Sequence, residues 1–425
     1  MKILHTVEYY SPSVGGAQEV VKQISERLVQ RGHEVTVATT RLKNREGCLL
    51  NGVKIEEFDI SGNAVTGIHG EAERYQRFVV ESKFDIMMNY AAQQWSMDLI
   101  FPVLEQIPYP KVMIPCGFSS LYDPKFQKYF EQMQQWMRQY DHLVFHAGKY
   151  RDIDFARKYQ IKNYSVIPNG ASQEEFEQNI PSFRRRYHIP EDAPMLLSVG
   201  SHTGTKGHRL CMEAFQQLDV ERASLVIIGN AIESSYSLVS RFIRPLLSAI
   251  IKQRNFGRAF RLFSELFSGT LKSGCLSDCH EQARKINQYK LSQKQVFLLD
   301  PPRIDVVAAY QSADLFVLGS NVEYSPLVLF ESMASKTPFV TLACGNSAEI
   351  VEWGGGGMLA PTTHRGDGYV DGDPGELAKA IQNLLEDREG CQRLGTAGFI
   401  AWQTKFTWGK ITDIYEALYK KLVKE

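Results

Sequence analysis

Four things are scarce in this chain, and each absence narrows what it can be. Cysteine is one. Seven cysteines, scattered and odd in number, do not make a disulfide framework and suit a reducing compartment. Long apolar runs are another. Each breaks after a few residues, well short of the roughly 20 that a membrane-spanning helix needs. Net charge is a third: Lys plus Arg and Asp plus Glu number 48 each, so no chain-wide basic field invites nucleic acid. The fourth is metal-ligand spacing. CLSDCH (275–280) offers Cys275, Cys279 and His280, but no second Cys or His pair follows at a useful distance. The segment reads as a loop or helix end, and no metal site is expected.

What is present is the balance of a soluble globular protein, 44% hydrophobic and 23% charged. A length of 425 residues exceeds one ordinary core and implies two domains, with room for a third. The opening MKILHTVEYYSP has one lysine before its polar residues and reads as a first strand, not as a signal peptide. KILHTV (2–7), EVTVAT (34–39), VKIEEF (53–58), FDIMMN (84–89), KVMIP (111–115), HLVFH (142–146) and YSVIP (164–168) are strand candidates. Between the first two, Val20, Val21, Ile24 and Leu28 recur at helical spacing and Gly32 ends the run. Strand, crossover helix and strand in that order specify a parallel sheet covered by helices.

From residue 170 to 194 the chain turns charged and irregular, and then the pattern restarts. MLLSVG (195–200), SLVIIG (224–229), VFLLD (296–300), DLFVLG (314–319), PFVTL (338–342) and GMLA (357–360) are the strands of a second α/β unit. The reading is therefore two doubly wound, Rossmann-like domains facing across a cleft. The first covers 1–170 and the second 171–400, the latter with a helical basic insertion at 231–294. Residues 401–425 end in a helix with Ile411, Ile414, Leu418 and Leu422 on one face, packing on its own domain or reaching back to the first.

Two carboxylates stand out. Glu323 follows the strand LFVLGS, at the strand end where open α/β sheets bind ligands. Seven residues separate it from Glu331. Ser325 reads as an N-cap and Pro326 as the first helical residue. On spacing alone, two unrelated acids around a capped helix are the commoner explanation. Glu331, however, interrupts an apolar run, LVLF before it and SMA after it, where a solvated charge is out of place. A helix opening beside such acids suits a phosphate, and a carboxylate nearby can hold a vicinal diol. Gly15 and Gly16, just after the first strand, would let backbone approach a ligand from the other side, or simply make a tight turn.

Glu323, seven residues, Glu331 and then SMASKTPFV resembles the E-x7-E motif of retaining glycosyltransferases of the GT-B fold, in particular family 4 (glycosyl transferases group 1). Other segments resemble that family in order: SPSVGGAQ (11–18) its glycine-rich first loop, VIPNGAS (166–172) its domain junction, and SVGSHTGTKGH (198–208) its V-G-R-x-x-x-x-K-G motif. The resemblance spans nearly the whole chain and implies a first domain on the acceptor side and a second that binds a nucleoside diphosphate sugar. It assigns Glu323 to the donor sugar hydroxyls, Glu331 to the ribose, the Leu327 and Val328 amides to the diphosphate, and Lys206 to the charge that develops there. No metal or other cofactor is implied. The chain departs from the family in having Ser201 where arginine is usual, which leaves His202 and Arg303 as the candidates to supply that charge. It has Ser325 and Pro326 where glycine is common, and IPCGFSSLYDP (114–124) lacks the first-domain histidine.

The expected partners are a nucleotide-sugar donor and a glycan or lipid-linked acceptor, with no nucleic acid, in the cytoplasm or at the inner face of the membrane. Specificity is expected in the loops 61–80 and 116–135. Residues 236–274 carry a net charge of +6 interleaved with Phe242, Phe256, Phe260, Phe263 and Phe267. That stretch reads either as a helical layer packed on its domain or as a basic face for an anionic membrane. Two other functions fit the same resemblance: a sugar-nucleotide epimerase of similar two-domain form, and a non-catalytic, membrane-attached relative.

Overall fold

A computed structural model describes residues 1–178, 180–230, 275–289 and 292–424. The basic stretch 236–274 lies outside the described residues. Two sheets organise the rest. The first contains β1 (Lys2–Thr6), β2 (Glu34–Thr40), β3 (Leu49–Leu50), β4 (Val53–Phe58), then, after a separate hairpin of β5 (Ile60–Asn63) and β6 (Gly67–Gly70), β7 (Ile86–Tyr90), β8 (Lys111–Ile114), β9 (His142–Phe145) and β10 (Tyr164–Val166). Its order is β10-β9-β8-β7-β1-β2-β4-β3, parallel throughout except for the short β3. The second sheet is all parallel. It contains β11 (Met195–Val199), β12 (Arg222–Ile228), β13 (Gln293–Leu299), β14 (Leu315–Leu318), β15 (Phe339–Thr341) and β16 (Gly357–Leu359), in the order β13-β12-β11-β14-β15-β16. A last hairpin pairs Thr362–His364 with Val370–Gly372.

The apolar periodicity explains these layers. Val20, Val21, Ile24 and Leu28 of the helix Gly16–Gln30 are fully buried against the first sheet. β13 begins at Gln293, three residues before the apolar run that marked it, because Gln293 and Lys294 pair with Arg222 and Ala223 of β12. The described end of the insertion is a crossover helix, Cys275–Asn287. It buries Cys279, Ala283 and Ile286 between β13 and the helix His208–Gln217. The segment 61–80, expected as a loop, falls in the β5–β6 hairpin and the helix Ala72–Glu81 that follows it. No helix among the described residues is long and apolar enough to cross a membrane.

Two chain crossings join the halves side by side. Ala171 N–H donates to Phe406 O at 3.0 Å, and Trp402 Nε1–H donates to Ala171 O at 3.2 Å. Gly170 must be glycine here, since a Cβ would sit 2.3 Å from Phe406 O. Beyond this point the helix Trp408–Lys424 lies on the Gly16–Gln30 helix of the first half. Its buried face is Trp408, Ile411, Tyr415, Tyr419 and Leu422. Ile414, expected on that face, is 45% exposed, because the two tyrosines take the contact with the first domain. Tyr419 OH meets His5 Nε2 at 3.2 Å beneath the sheet, and burial holds the His5 imidazole down to about 3, so it stays neutral.

Charges lock the edge of this contact. Arg31 reaches Asp413 at 2.7 Å and Glu416 at 3.0 Å, and His33 reaches Glu416 at 2.9 Å. Hydrogen bonds from Lys420 and His33 hold the Glu416 carboxyl down to about 2. A carboxyl depressed on folding stabilises the protein above its unfolded value and loses that contribution as the pH falls through its folded value. Glu416→Gln is therefore expected to cost about 2 kcal/mol at neutral pH. In urea unfolding the gap between wild type and variant should narrow from about pH 5 down to pH 2.

Candidate active site

In both sheets the strand order reverses beside the central strand: β2 lies to one side of β1 and β7 to the other, and β12 and β14 flank β11 in the same way. Loops leaving strands at such a switch point form a crevice. The loops after β1, β11 and β14 meet in one cavity of about 520 Å³. Gly15, Gly16, Lys206, Arg303, Glu323, Ser325, Leu327, Val328 and Glu331 all line it.

From the first half, the helix Gly16–Gln30 opens into the cavity with Gly15 at its N-cap. Gly15 has φ 174°, extended backbone open to any residue, and Gly16 is helical, so neither supplies a left-handed turn. A Cβ on Gly16 would have no neighbour within 4 Å. What the glycine leaves there is room.

From the second half, the loop after β11 carries Lys206 to the helix His208–Gln217. Gly207 adopts φ 67°, and a Cβ there would fall 1.8 Å from Gly319 O. Only glycine lets the loop press on the exit of β14. Thr205 O accepts from Asn321 N–H at 2.9 Å, which ties the two loops again. Lys206 thus arrives with its Nζ 2.7 Å from Glu323 Oε1.

The helix Leu327–Ala334 points its N-terminus into the same space. Pro326 takes the N-cap position with extended backbone, and no side chain caps the helix. This corrects the reading of Ser325 as N-cap and Pro326 as first helical residue. The proline's fixed φ suits either place, and the helical turn starts one residue later. Ser325 Oγ is instead buried, without a hydrogen-bond partner, on the cavity wall. Asn169 Nδ2–H donates to Ser325 O at 3.0 Å, and its own Oδ1 is likewise buried and unpartnered. Two polar atoms on one wall are thus left without a partner in the protein, with bonding capacity to spare.

Glu331, in the second turn, is 8% exposed, and Arg303 reaches its Oε1 at 2.6 Å. The same guanidinium contacts Glu175 at 2.7 Å. Each acid of the E-x7-E pair therefore has its own cation, and two helix N-termini add positive backbone ends. His202 is not part of this group. It packs on His208, Nδ1 to Nδ1 at 3.3 Å, away from the cavity lining. Burial, then the charges of His202 and Lys206, hold His208 down to about 3.

Sequence reasoning missed the residues that fix the two halves across the cleft. Tyr324 inserts into the first half, where its hydroxyl accepts from His146 N–H at 2.8 Å and its ring leaves no space for a side chain at Gly117. Tyr150 OH donates to Glu323 O at 2.5 Å. Glu349 accepts from Gly148 N–H at 3.0 Å and Lys149 N–H at 3.2 Å, and Asn346 donates to His146 O at 3.0 Å. An aromatic wedged between Glu323 and Ser325 was the one local signal. Glu349 and Asn346 gave none, since their partners lie about 200 residues away. The first-half loops near this contact hold Ala91, Gln93, Cys116 and Phe118 at positive φ, strain of the kind that gathers at functional sites. Glu8 follows β1, and burial with the nearby Asp98 charge raises its carboxyl to about 7.

Comparison with known proteins shows likeness of two kinds, of sequence over part of the chain and of fold over nearly all of it. Residues 280–399, which contain Glu323 and Glu331, match the family model of glycosyl transferases group 1. D-inositol 3-phosphate glycosyltransferase of Corynebacterium efficiens is 30% identical over 129 residues, 30% of this chain and 28% of that protein. Lipopolysaccharide 1,2-N-acetylglucosaminetransferase of Salmonella typhimurium is 32% identical over 88 residues, 20% of this chain and 23% of that protein. The chain thus spans less than a third of the length of either of these relatives. Likeness of fold reaches much further. Sucrose-phosphate synthase from Thermosynechococcus elongatus superposes with a TM-score of 0.72 at 18% identity, covering 99% of this chain and 98% of that one. Anabaena HepE in complex with UDP and glucose gives 0.69 at 15% identity, covering 99% and 100%. The chain has the GT-B fold of two Rossmann-like domains, and residues 280–399 of the second are similar to glycosyl transferases group 1.

Proposed function

We propose that this protein is a retaining glycosyltransferase that moves a sugar from a nucleoside diphosphate sugar to a hydroxyl of a glycan or lipid-linked acceptor. The observation that carries this reading is the convergence of two helix N-termini, Lys206 and two separately paired carboxylates in one cavity between the domains. In this reading the diphosphate lies at the Leu327 and Val328 amides, with Gly15 and Gly16 facing it from the first domain. Glu331 takes the ribose diol, and Arg303 holds that carboxylate in place. Lys206 leaves Glu323 for the phosphate, and Glu323 is then free to accept from donor sugar hydroxyls.

The chemistry follows from charge. As the glycosidic bond to the diphosphate breaks, negative charge grows on the leaving oxygen. An ammonium and preset amides stabilise it more in the transition state than in the ground state. No metal is needed for that step. The acceptor hydroxyl attacks from the side the diphosphate leaves, and the departing phosphate takes its proton, which preserves the anomeric configuration.

A uridine nucleotide is the first donor to try, since UDP and UDP-glucose occupy the Anabaena neighbour. Calorimetry with a panel of nucleoside diphosphates should find one that binds. Glu331→Ala should weaken it about 10- to 100-fold, the worth of one or two charge-assisted hydrogen bonds. Arg303 keeps Glu175 in that variant, so the fold is spared an unpaired charge. If no nucleotide binds at millimolar concentration, the reading fails and a non-catalytic relative is the better account.

Lys206→Ala should behave differently, lowering kcat by roughly 10²–10³ with a smaller change in donor affinity. Gly16→Ala separates space from stability. The methyl group meets nothing in the protein and favours the helix, so the melting temperature should hold or rise. Donor affinity should nevertheless fall about tenfold, because the room is meant for the ligand. Unchanged affinity in Gly16→Ala would remove the first domain from the donor site.

A further inference from the structure

A second cluster of ligating side chains lies between the Lys206 loop and the Cys275–Asn287 helix. Cys275 and Cys279 stand one turn apart on that helix, with their sulfurs 4.0 Å from each other. A ring nitrogen of His202 joins them, and the three ligand atoms lie within 4.8 Å of one another. His202 and Cys279 are buried and Cys275 is partly so. His208 holds the His202 ring by the Nδ1 contact, and its own Nε2 is buried with no hydrogen-bond partner.

Core packing readily accounts for one buried thiol or one buried imidazole. It does not account for two thiols, an imidazole and a second imidazole with an orphaned nitrogen, gathered at one point. Two sulfurs and one nitrogen form a donor set that prefers thiophilic ions such as zinc. In a tetrahedral zinc site the ligand atoms are roughly 3.5–3.8 Å apart. The separations seen here close to that by small side-chain rotations. A cavity of about 380 Å³ reaches Cys275, Cys279 and His208, with Gly204 and Gly207 on its wall, and supplies an entry path. The outer hydrogen bond from a neighbouring group, which metal-binding histidines generally have, is in place at His208.

We infer that His202, Cys275 and Cys279 bind a divalent cation of the zinc class, with water in the fourth position and His208 steadying the His202 ring. His202, first considered for the donor, belongs to this site instead. The CLSDCH segment lacked a second ligand pair in sequence because the third ligand comes from a loop more than 70 residues earlier. The ion would fasten the loop that carries Lys206, four residues on from His202, to the helix that leads into β13. Its effect on Lys206 rests on the proposed function, whereas the binding site does not.

The test uses the full chain, reduced and stripped with a chelator, then titrated with Co²⁺ and afterwards Zn²⁺. The expected result is one cobalt per chain with thiolate-to-cobalt charge-transfer absorption that zinc abolishes, and a rise in melting temperature with zinc. Cys279→Ser should lose about half of the absorption and His202→Ala should weaken cobalt binding, while Cys391→Ser should match wild type. Cys275 is partly exposed, so a folded Cys275→Ser variant is available if the buried positions do not tolerate change, and it should show about half the thiolate band of wild type. Absence of the band at stoichiometric cobalt, or a band undiminished in folded Cys275→Ser, would overturn the site. Nucleotide binding measured on the same zinc-loaded sample keeps the two claims apart. Loss of donor binding with an intact cobalt band would count against the transferase reading alone.

Discussion

Two helices, one from each domain, end at the same cavity with their N-termini uncapped by any side chain. Free amides and the aligned peptide dipoles make each end partly positive. Bringing two such ends together without an anion is electrostatically unfavourable, and the neighbourhood is arranged around that fact. Glu323 and Glu331 supply negative charge, but each is tied to a cation of its own. The net result is a site with amides, a lysine and orphaned polar atoms still able to receive a dianionic group. That constraint organises the rest: the glycines at the edges, the proline that starts one helix late, and the two acids, one in the loop before that helix and one in its second turn.

The second requirement is that the two domains stay in register while the cleft between them works. The crossings at Ala171 and Phe406 and the returning C-terminal helix form a permanent junction. The contacts at the cleft itself are of another kind. Tyr324, Asn346 and Glu349 meet the first domain through a few directional hydrogen bonds to backbone. A handful of such bonds fixes an arrangement without the broad apolar area that would make it irreversible.

Much of this was legible in the sequence, for physical reasons. A strand buried on both faces must be apolar for several residues, so β1, β2, β7, β11 and β12 announced themselves, and helical spacing placed Val20, Val21, Ile24 and Leu28 correctly. Glu331 was readable because a carboxylate in an apolar run needs a partner. The partner, Arg303, was named for a different duty. What could not be read was anything that depends on two distant segments meeting. The exposure of Ile414, the wedge made by Tyr324, the anchoring role of Glu349 and the meeting of His202 with Cys275 and Cys279 are all of this kind. The N-cap error at Ser325 has another cause: serine and proline favour adjacent cap positions, and one residue of slip leaves local preference almost unchanged.

The central claim is that the cavity between the domains receives a nucleoside diphosphate sugar from both sides at once. Hydrogen–deuterium exchange with and without UDP-glucose, read at single-residue resolution, tests it most directly. The account predicts slowed exchange at the amides of Leu327 and Val328 and in the Lys206 loop, together with Gly16 and Ala17 across the cleft. Protection confined to one domain, or appearing only elsewhere on the surface, would contradict it.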